Sequence, residues 1–287
     1  MKQEAKKISN AAAGALFLHL AATIAVRFVH GRLVFTLDAA EQLYDIAASM
    51  LVLFVAYFSF NAFSKRLGWH PATTSRRNRG TIPETIALTL ICGASVFLLG
   101  KVYSSLFSDQ SYSMISASDG VYEYILAFIL YVVVPVFFEE LVFRFCFARE
   151  FQIFGAIGAI ILSSLLFGLT HFSFSAFPYA FVSGIVISAA YLHTGRPAAP
   201  LGIHFINNAM GFILSAAYVN VPDSKTISTW STVIPIVMIV AGSVLLFIGR
   251  KKKLPEAEEE EHALVSDALT PAMSLYLVCA VIVHIFM

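Results

Sequence analysis

The chain has 287 residues, 58% of them hydrophobic and 13% charged, with a formal net charge of +1. Soluble domains carry about 25% charged residues, so this composition excludes an ordinary soluble enzyme and points to a polytopic membrane protein. No global basicity suggests a nucleic-acid partner, and Cys92, Cys146 and Cys279 lie isolated in apolar runs, which disfavours a disulfide framework or a cysteine metal site.

A spanning helix needs about 20 mostly apolar residues. The basic start "MKQEAKKISN" leads into "AAAGALFLHLAATIAV". A signal peptide is one reading of that pattern. An uncleaved first span over 11–29 is preferred, because the apolar stretch continues almost to Arg27. Further spans are expected at 43–63, 85–107, 121–143, 153–172, 176–194, 200–219, 232–249 and 268–287. The fold expected is an all-α, polytopic transmembrane helical bundle of about 8–9 spans. It divides into N-terminal helices over 1–120, a core over 121–220, and C-terminal helices over 221–287 with a charged linker at 250–262. Basic then acidic, "KKKLPEAEEEEH" reads as a solvated connector. No internal repeat is present, which disfavours a transporter built from inverted halves.

Lys and Arg in short loops set orientation. Lys6, Lys7, Lys65, Arg66, Arg76, Arg77, Arg79, Arg149, Arg196 and the run Arg250 to Lys253 fall on one side if all nine spans form. The N-terminus is therefore expected in the cytoplasm.

Ionisable groups inside spans cost at least about 2.5–3.5 kcal/mol each and usually face the bundle interior. Three clusters stand out. "FFEELVFR" carries Glu139, Glu140 and Arg144. Glu140 and Arg144 are i,i+4 on a helix and can pair. Glu139 lies about 100° round the helix and points elsewhere. The bland alternative is a cytoplasmic helix end, which suits Glu140, Arg144, Arg149 and Glu150 better than Glu139. "SSLLFGLTHF" supplies Phe167 and His171, with Ser163 and Ser164 as small packing residues. "PLGIHFINNAMGF" supplies His204 and Asn208, i,i+4 on one face, with Asn207 pointing away. An interhelical hydrogen-bonded pair explains His204 and Asn208 as readily as a site does, when each cluster is taken singly. His19, His30, His70, His193, His262 and His284 read as interfacial or loop residues.

Together the three clusters suggest water-mediated proteolysis. A carboxylate in an apolar cavity is a stronger proton acceptor than one in water, which suits a general base. Water between Glu139 and His171 would be the nucleophile, and His204 with Asn208 would donate to the oxyanion. A zinc version would use His171, His204 and Glu139 as ligands. It lacks an H-E-x-x-H sequence and needs a second base, for which Glu140 is the candidate. The metal-free version is preferred, with no cofactor. No Ser sits in a G-x-S-x-G setting for a serine mechanism.

"EELVFR", "FGLTH" and "HFINN" resemble, in order and spacing, the E-E-x-x-x-R, F-x-x-x-H and H-x-x-x-N motifs of the CAAX protease and bacteriocin-processing (CPBP, or Abi) membrane proteins. The resemblance covers roughly 121–220. It implies a glutamate-dependent intramembrane endopeptidase of CAAX prenyl endopeptidase type, often labelled a metalloprotease. Carried over, Glu139 activates water with help from His171, His204 and Asn208 form the oxyanion hole, and Glu140 and Arg144 are supporting members. Phe145 departs from the family, where Gly often follows the Arg. The expected partners are a protein or peptide substrate in or at the membrane and the lipid bilayer. A non-catalytic interaction or bacteriocin-immunity protein is the competing reading, and a transporter with a Glu proton relay the third. Glu139 and His171 meet only if the fourth helix runs on to about Glu150, which lowers Glu139 into the bilayer.

Overall fold

The computed structural model describes residues 1–69, 80–107, 114–116, 119–221, 223–249 and 262–286. His70, Arg76, Arg77, Arg79, the run Arg250 to Lys253 and nearly all of the charged linker lie outside the described residues. Among those described, the structure is all-α, with nine helices: α1 (Lys2–His30), α2 (Asp38–Arg66), α3 (Ile82–Phe107), α4 (Val121–Ala148), α5 (Gly155–Leu169), α6 (Phe177–Thr194), α7 (Ala198–Asn220), α8 (Ser224–Gly249) and α9 (Pro271–Phe286). The polytopic helical bundle expected from composition is what forms.

Among the described residues, seven helices are long and apolar enough to cross a membrane: α1 to α6, the fifth counted from Phe151, and α8. The other two differ for separate reasons. α7 has 23 residues, but Pro200, His204, Asn207 and Asn208 interrupt its apolar run. α9 has 16 residues, short of the roughly 20 that a span needs.

Helix α4 positions the site. It runs past the expected end at residue 143 to Ala148, then through a 3-10 turn at Phe151–Phe154. Its winding is uneven, with π-helical turns at Ile129–Val133, Pro135–Glu139 and Phe143–Ala148. Pro135 explains part of this, since it has no N–H and its ring crowds the carbonyl four residues back. Gly155 then reverses the chain with φ 76°, a left-handed conformation that L side chains rarely adopt.

After that reversal α5 returns against α4. An aromatic ladder joins them, with Phe143 in edge contact with Phe147 and with Phe167 at centroid distances of 5.6 and 5.2 Å. Ser163 and Ser164 act as the small residues expected of them. Ser163 Oγ lies 3.3 Å from Ser188 Oγ of α6. Ser164 sits so close to Gly184 that an added Cβ there would meet it at 3.1 Å. The buried core runs from α1 and α2 through this ladder to α9.

The terminal helices pack on each other. Phe17 meets Tyr276 edge-on at 5.7 Å, and in the turn before α9 Asp267 Oδ1 lies 3.3 Å from Lys2 Nζ while the Ala268 carbonyl accepts from Ser9. The amide of Gly80 donates to the Thr194 carbonyl at 2.8 Å, which ties the approach to α3 to the end of α6.

Candidate active site

The centre of the site is a charge pair with no water contact. Arg144 Nη1 lies 3.1 Å from Glu140 Oε1, and both side chains are fully buried. A buried pair survives only when further contacts compensate the lost hydration. Two such contacts are present. The Arg144 guanidinium stacks 4.3 Å from the Phe167 ring centre, a desolvated cation–π contact. Glu140 Oε1 also lies 2.7 Å from His204 Nδ1.

That second contact assigns the proton on His204. A carboxylate only accepts, so Nδ1–H donates to Glu140 and Nε2 is the free ring atom. Nε2 faces Glu139, whose Oε2 is 3.9 Å away. The adjacent glutamates therefore divide one imidazole between them. Glu140 holds it, and Glu139, with 21% of its side chain exposed, faces its free ring nitrogen. Spacing within α4 correctly pairs Glu140 with Arg144. It gave no sign that Glu140 also holds an imidazole from α7.

His171 is placed differently. Its Nδ1 is 2.9 Å from the Phe167 carbonyl oxygen. A carbonyl accepts, so Nδ1–H donates and Nε2 keeps a lone pair. His171 makes no ion pair with Glu139 or Glu140, and the imidazole nearest Glu139 is that of His204. Phe167 links the two histidines. Its ring meets His171 edge-on at 4.9 Å and His204 at 6.2 Å. The Phe of "FGLTH" is thus the apolar floor on which Arg144, His171 and His204 meet.

Directly after His171, Phe172 adopts φ 48°, outside the usual range for a non-glycine residue. Its ring stacks on His19 of α1 at 6.0 Å and meets His284 of α9 at 5.8 Å. His19 and His284 are buried, 4% and 7% exposed, which corrects their reading as interfacial or loop residues. Only the three-dimensional convergence of the two terminal helices on one ring reveals them. His30 and His193 do lie toward helix ends, 3.2 Å from Glu41 and 2.9 Å from Glu84 respectively.

Asn208 and His204 do not share a partner. Asn208 Nδ2 donates to the Tyr131 carbonyl at 3.1 Å. Pro135 has no N–H to offer that same carbonyl, four residues back. The second hydrogen of Nδ2 remains for a ligand. Asn207 does not stand apart either. Its Nδ2 donates to Asn208 Oδ1 at 3.0 Å, and it accepts from Tyr179 Oη at 2.6 Å. Phe145 packs against Tyr191 at 5.6 Å, so the departure from Gly touches none of these groups. The three cysteines are free, and Cys146 is buried.

Among the described residues, no three His, Cys, Asp or Glu side chains are gathered so as to hold a metal ion. The zinc set of Glu139, His171 and His204 is thus not assembled as a triad, and His204 commits Nδ1 to Glu140.

Residues 121–210 match the family model described as type II CAAX prenyl endopeptidase, Rce1-like. The chain is also similar to the membrane-embedded CAAX protease MroQ of Staphylococcus aureus (strain USA300), 37% identical over 83 residues. That alignment covers 26% of this chain, which spans about a third (33%) of the relative's length. No solved structure matches. Both matches bear out the resemblance of the three motifs to the CPBP/CAAX protease family.

Proposed function

We propose that this protein is a glutamate-dependent intramembrane endopeptidase. The observation that carries the reading is the placing of His204, held through Nδ1 by buried Glu140 and facing Glu139 with Nε2 across 3.9 Å. One water in contact with Glu139 is within reach of both groups, and hydrogen bonds of about 2.6–3.2 Å suffice for proton transfer. The matched family and relative are CAAX proteases by name. A membrane-associated protein ending in a prenylated CAAX segment is therefore the first substrate class to test, ahead of leader peptides.

In the step proposed, Glu139 takes a proton from water as the water oxygen bonds to the peptide carbonyl carbon. The carbonyl π electrons move onto oxygen. His171 Nε2, whose tautomer the Phe167 carbonyl fixes, accepts the other water hydrogen bond and orients the nucleophile. The free N–H of Asn208 donates to the oxyanion, and His204, whose Nδ1–H is held by Glu140, joins it as a donor only when Nε2 also carries a proton before water attacks. Collapse breaks the C–N bond, and Glu139 returns its proton to the leaving amine. No acyl-enzyme forms and no metal takes part. The clustered Lys and Arg residues of the sequence support a cytoplasmic N-terminus.

The test is hydrolysis of a farnesylated CAAX peptide by the full chain in lipid nanodiscs. Glu139→Gln is expected to lower kcat by about 10²–10⁴-fold, the range for a lost general base. A metal chelator is expected to leave the wild-type rate unchanged. Cleavage by Glu139→Gln at the wild-type rate overturns the mechanism. Restoration of chelator-treated protein by zinc overturns its metal-free form. Function retained in cells with no hydrolysis by any preparation would instead favour a non-catalytic interaction protein.

A further inference from the structure

We infer that Tyr179 and Asn207 are positioning residues that fix which end of the Asn208 amide faces the site. The inference rests on the proposed role of Asn208 as an oxyanion donor. Side chains of residues i and i+1 on a helix do not normally face each other. Here Asn207 and Asn208 are bonded side chain to side chain at 3.0 Å, so the arrangement needs an explanation.

The polarity of the chain of bonds runs in one direction. It starts at the Tyr131 carbonyl, which can only accept. Asn208 must turn Nδ2 toward it, at 3.1 Å. Its Oδ1 then needs a donor, and Asn207 Nδ2 supplies one. Asn207 Oδ1 needs a donor in turn, and the Tyr179 hydroxyl supplies that at 2.6 Å. The other carbonyl near this hydroxyl, that of Val96, is farther away at 3.4 Å. Four groups on three helices, α4, α7 and α6, thus agree on one orientation. Reversed, the Asn208 amide would aim Oδ1 at a developing oxyanion and repel it.

The hydroxyl itself is held from α3. The Tyr179 ring stacks with Tyr103 at 6.2 Å. Its hydroxyl end also lies against Gly100, where an added Cβ would sit 3.1 Å from Tyr179 Oη and Cζ. Helix α3 lies outside the 121–210 match, yet through this contact it sets the site's donor.

The experiment uses the full chain in nanodiscs with the farnesylated CAAX peptide, together with side-chain amide NMR of protein labelled at asparagine with ¹⁵N. Tyr179→Phe is expected to lower kcat about tenfold with KM unchanged, less than the roughly 10²–10³-fold loss of a whole oxyanion donor. Gly100→Ala should reproduce that loss by displacing the hydroxyl. Asn207→Asp keeps the shape but has no N–H to give, and should approach Asn208→Ala. In an Asn208→Ala background, Tyr179→Phe should cost nothing further. The Asn208 amide resonances should shift in Tyr179→Phe. Equal losses from Tyr179→Phe with and without Asn208 would overturn the inference, as would unmoved Asn208 resonances. If the wild-type chain leaves the peptide intact, the proposed function fails on that probe, and the NMR result alone decides the relay.

Discussion

The two sides of the site are held by different physics. On the side of α4 and α7 the contacts are polar: Glu140 pairs with Arg144 at 3.1 Å and bonds His204 at 2.7 Å, and Asn208 separately bonds the Tyr131 carbonyl at 3.1 Å. On the side of α5, His171 has one bond to its own helix and is otherwise held by rings: Phe167, then Phe172 between His19 and His284. Directed bonds fix a geometry and tolerate no change of group, because an orphaned buried charge costs more than the bond contributed. Ring packing fixes a position and tolerates substitutes of similar volume.

Substitutions on each side sharpen that contrast. The largest effect on stability is expected at Arg144. Arg144→Met strands Glu140 without its cation and should destabilise the protein by about 3–5 kcal/mol, measured by denaturant unfolding in mixed micelles. Arg144→Lys should cost nearly as much, since an ammonium cannot stack on Phe167 as a planar guanidinium does. Phe172→Ala removes a buried ring and should cost about 3 kcal/mol. Phe172→Leu should cost only about 1 kcal/mol, because most of the volume stays. If Phe172→Leu proves as damaging as Phe172→Ala, or Arg144→Lys proves harmless, the contrast fails. The smallest effect is expected at the α5–α6 contact, where Ser188→Ala removes one interhelical hydrogen bond worth about 0.6 kcal/mol.

The same contrast explains what the sequence could tell. Helix placement was legible because long apolar runs have few alternatives in a bilayer. The Glu140–Arg144 pair was legible because both lie on one helix at i,i+4. The grip of Glu140 on His204 was not, since 64 residues separate the partners and no periodicity spans two helices. Asn207 was misjudged because an even helical wheel turns it from Asn208, whereas Tyr179 from another helix draws the two amides together. Tyr131 carried one local signal, Pro135 four residues on, which marks a carbonyl without its usual helical donor. His19 and His284 gave none, since an imidazole near the end of an apolar run looks alike whether it meets headgroups or a buried phenyl ring.

The seat of Phe172 bears on how the region of residues 121–210 could be exchanged between proteins. A graft of residues 121–210 would carry all three motifs, Pro135 and both glutamates. It would leave behind His19 and His284, the two surfaces against which the turn after His171 rests. A host would receive the motifs without the vice that steadies one of their histidines. Transplants that bring α1 and α9 along, or that borrow equivalent side chains from the host, are the ones built to keep His171 in register.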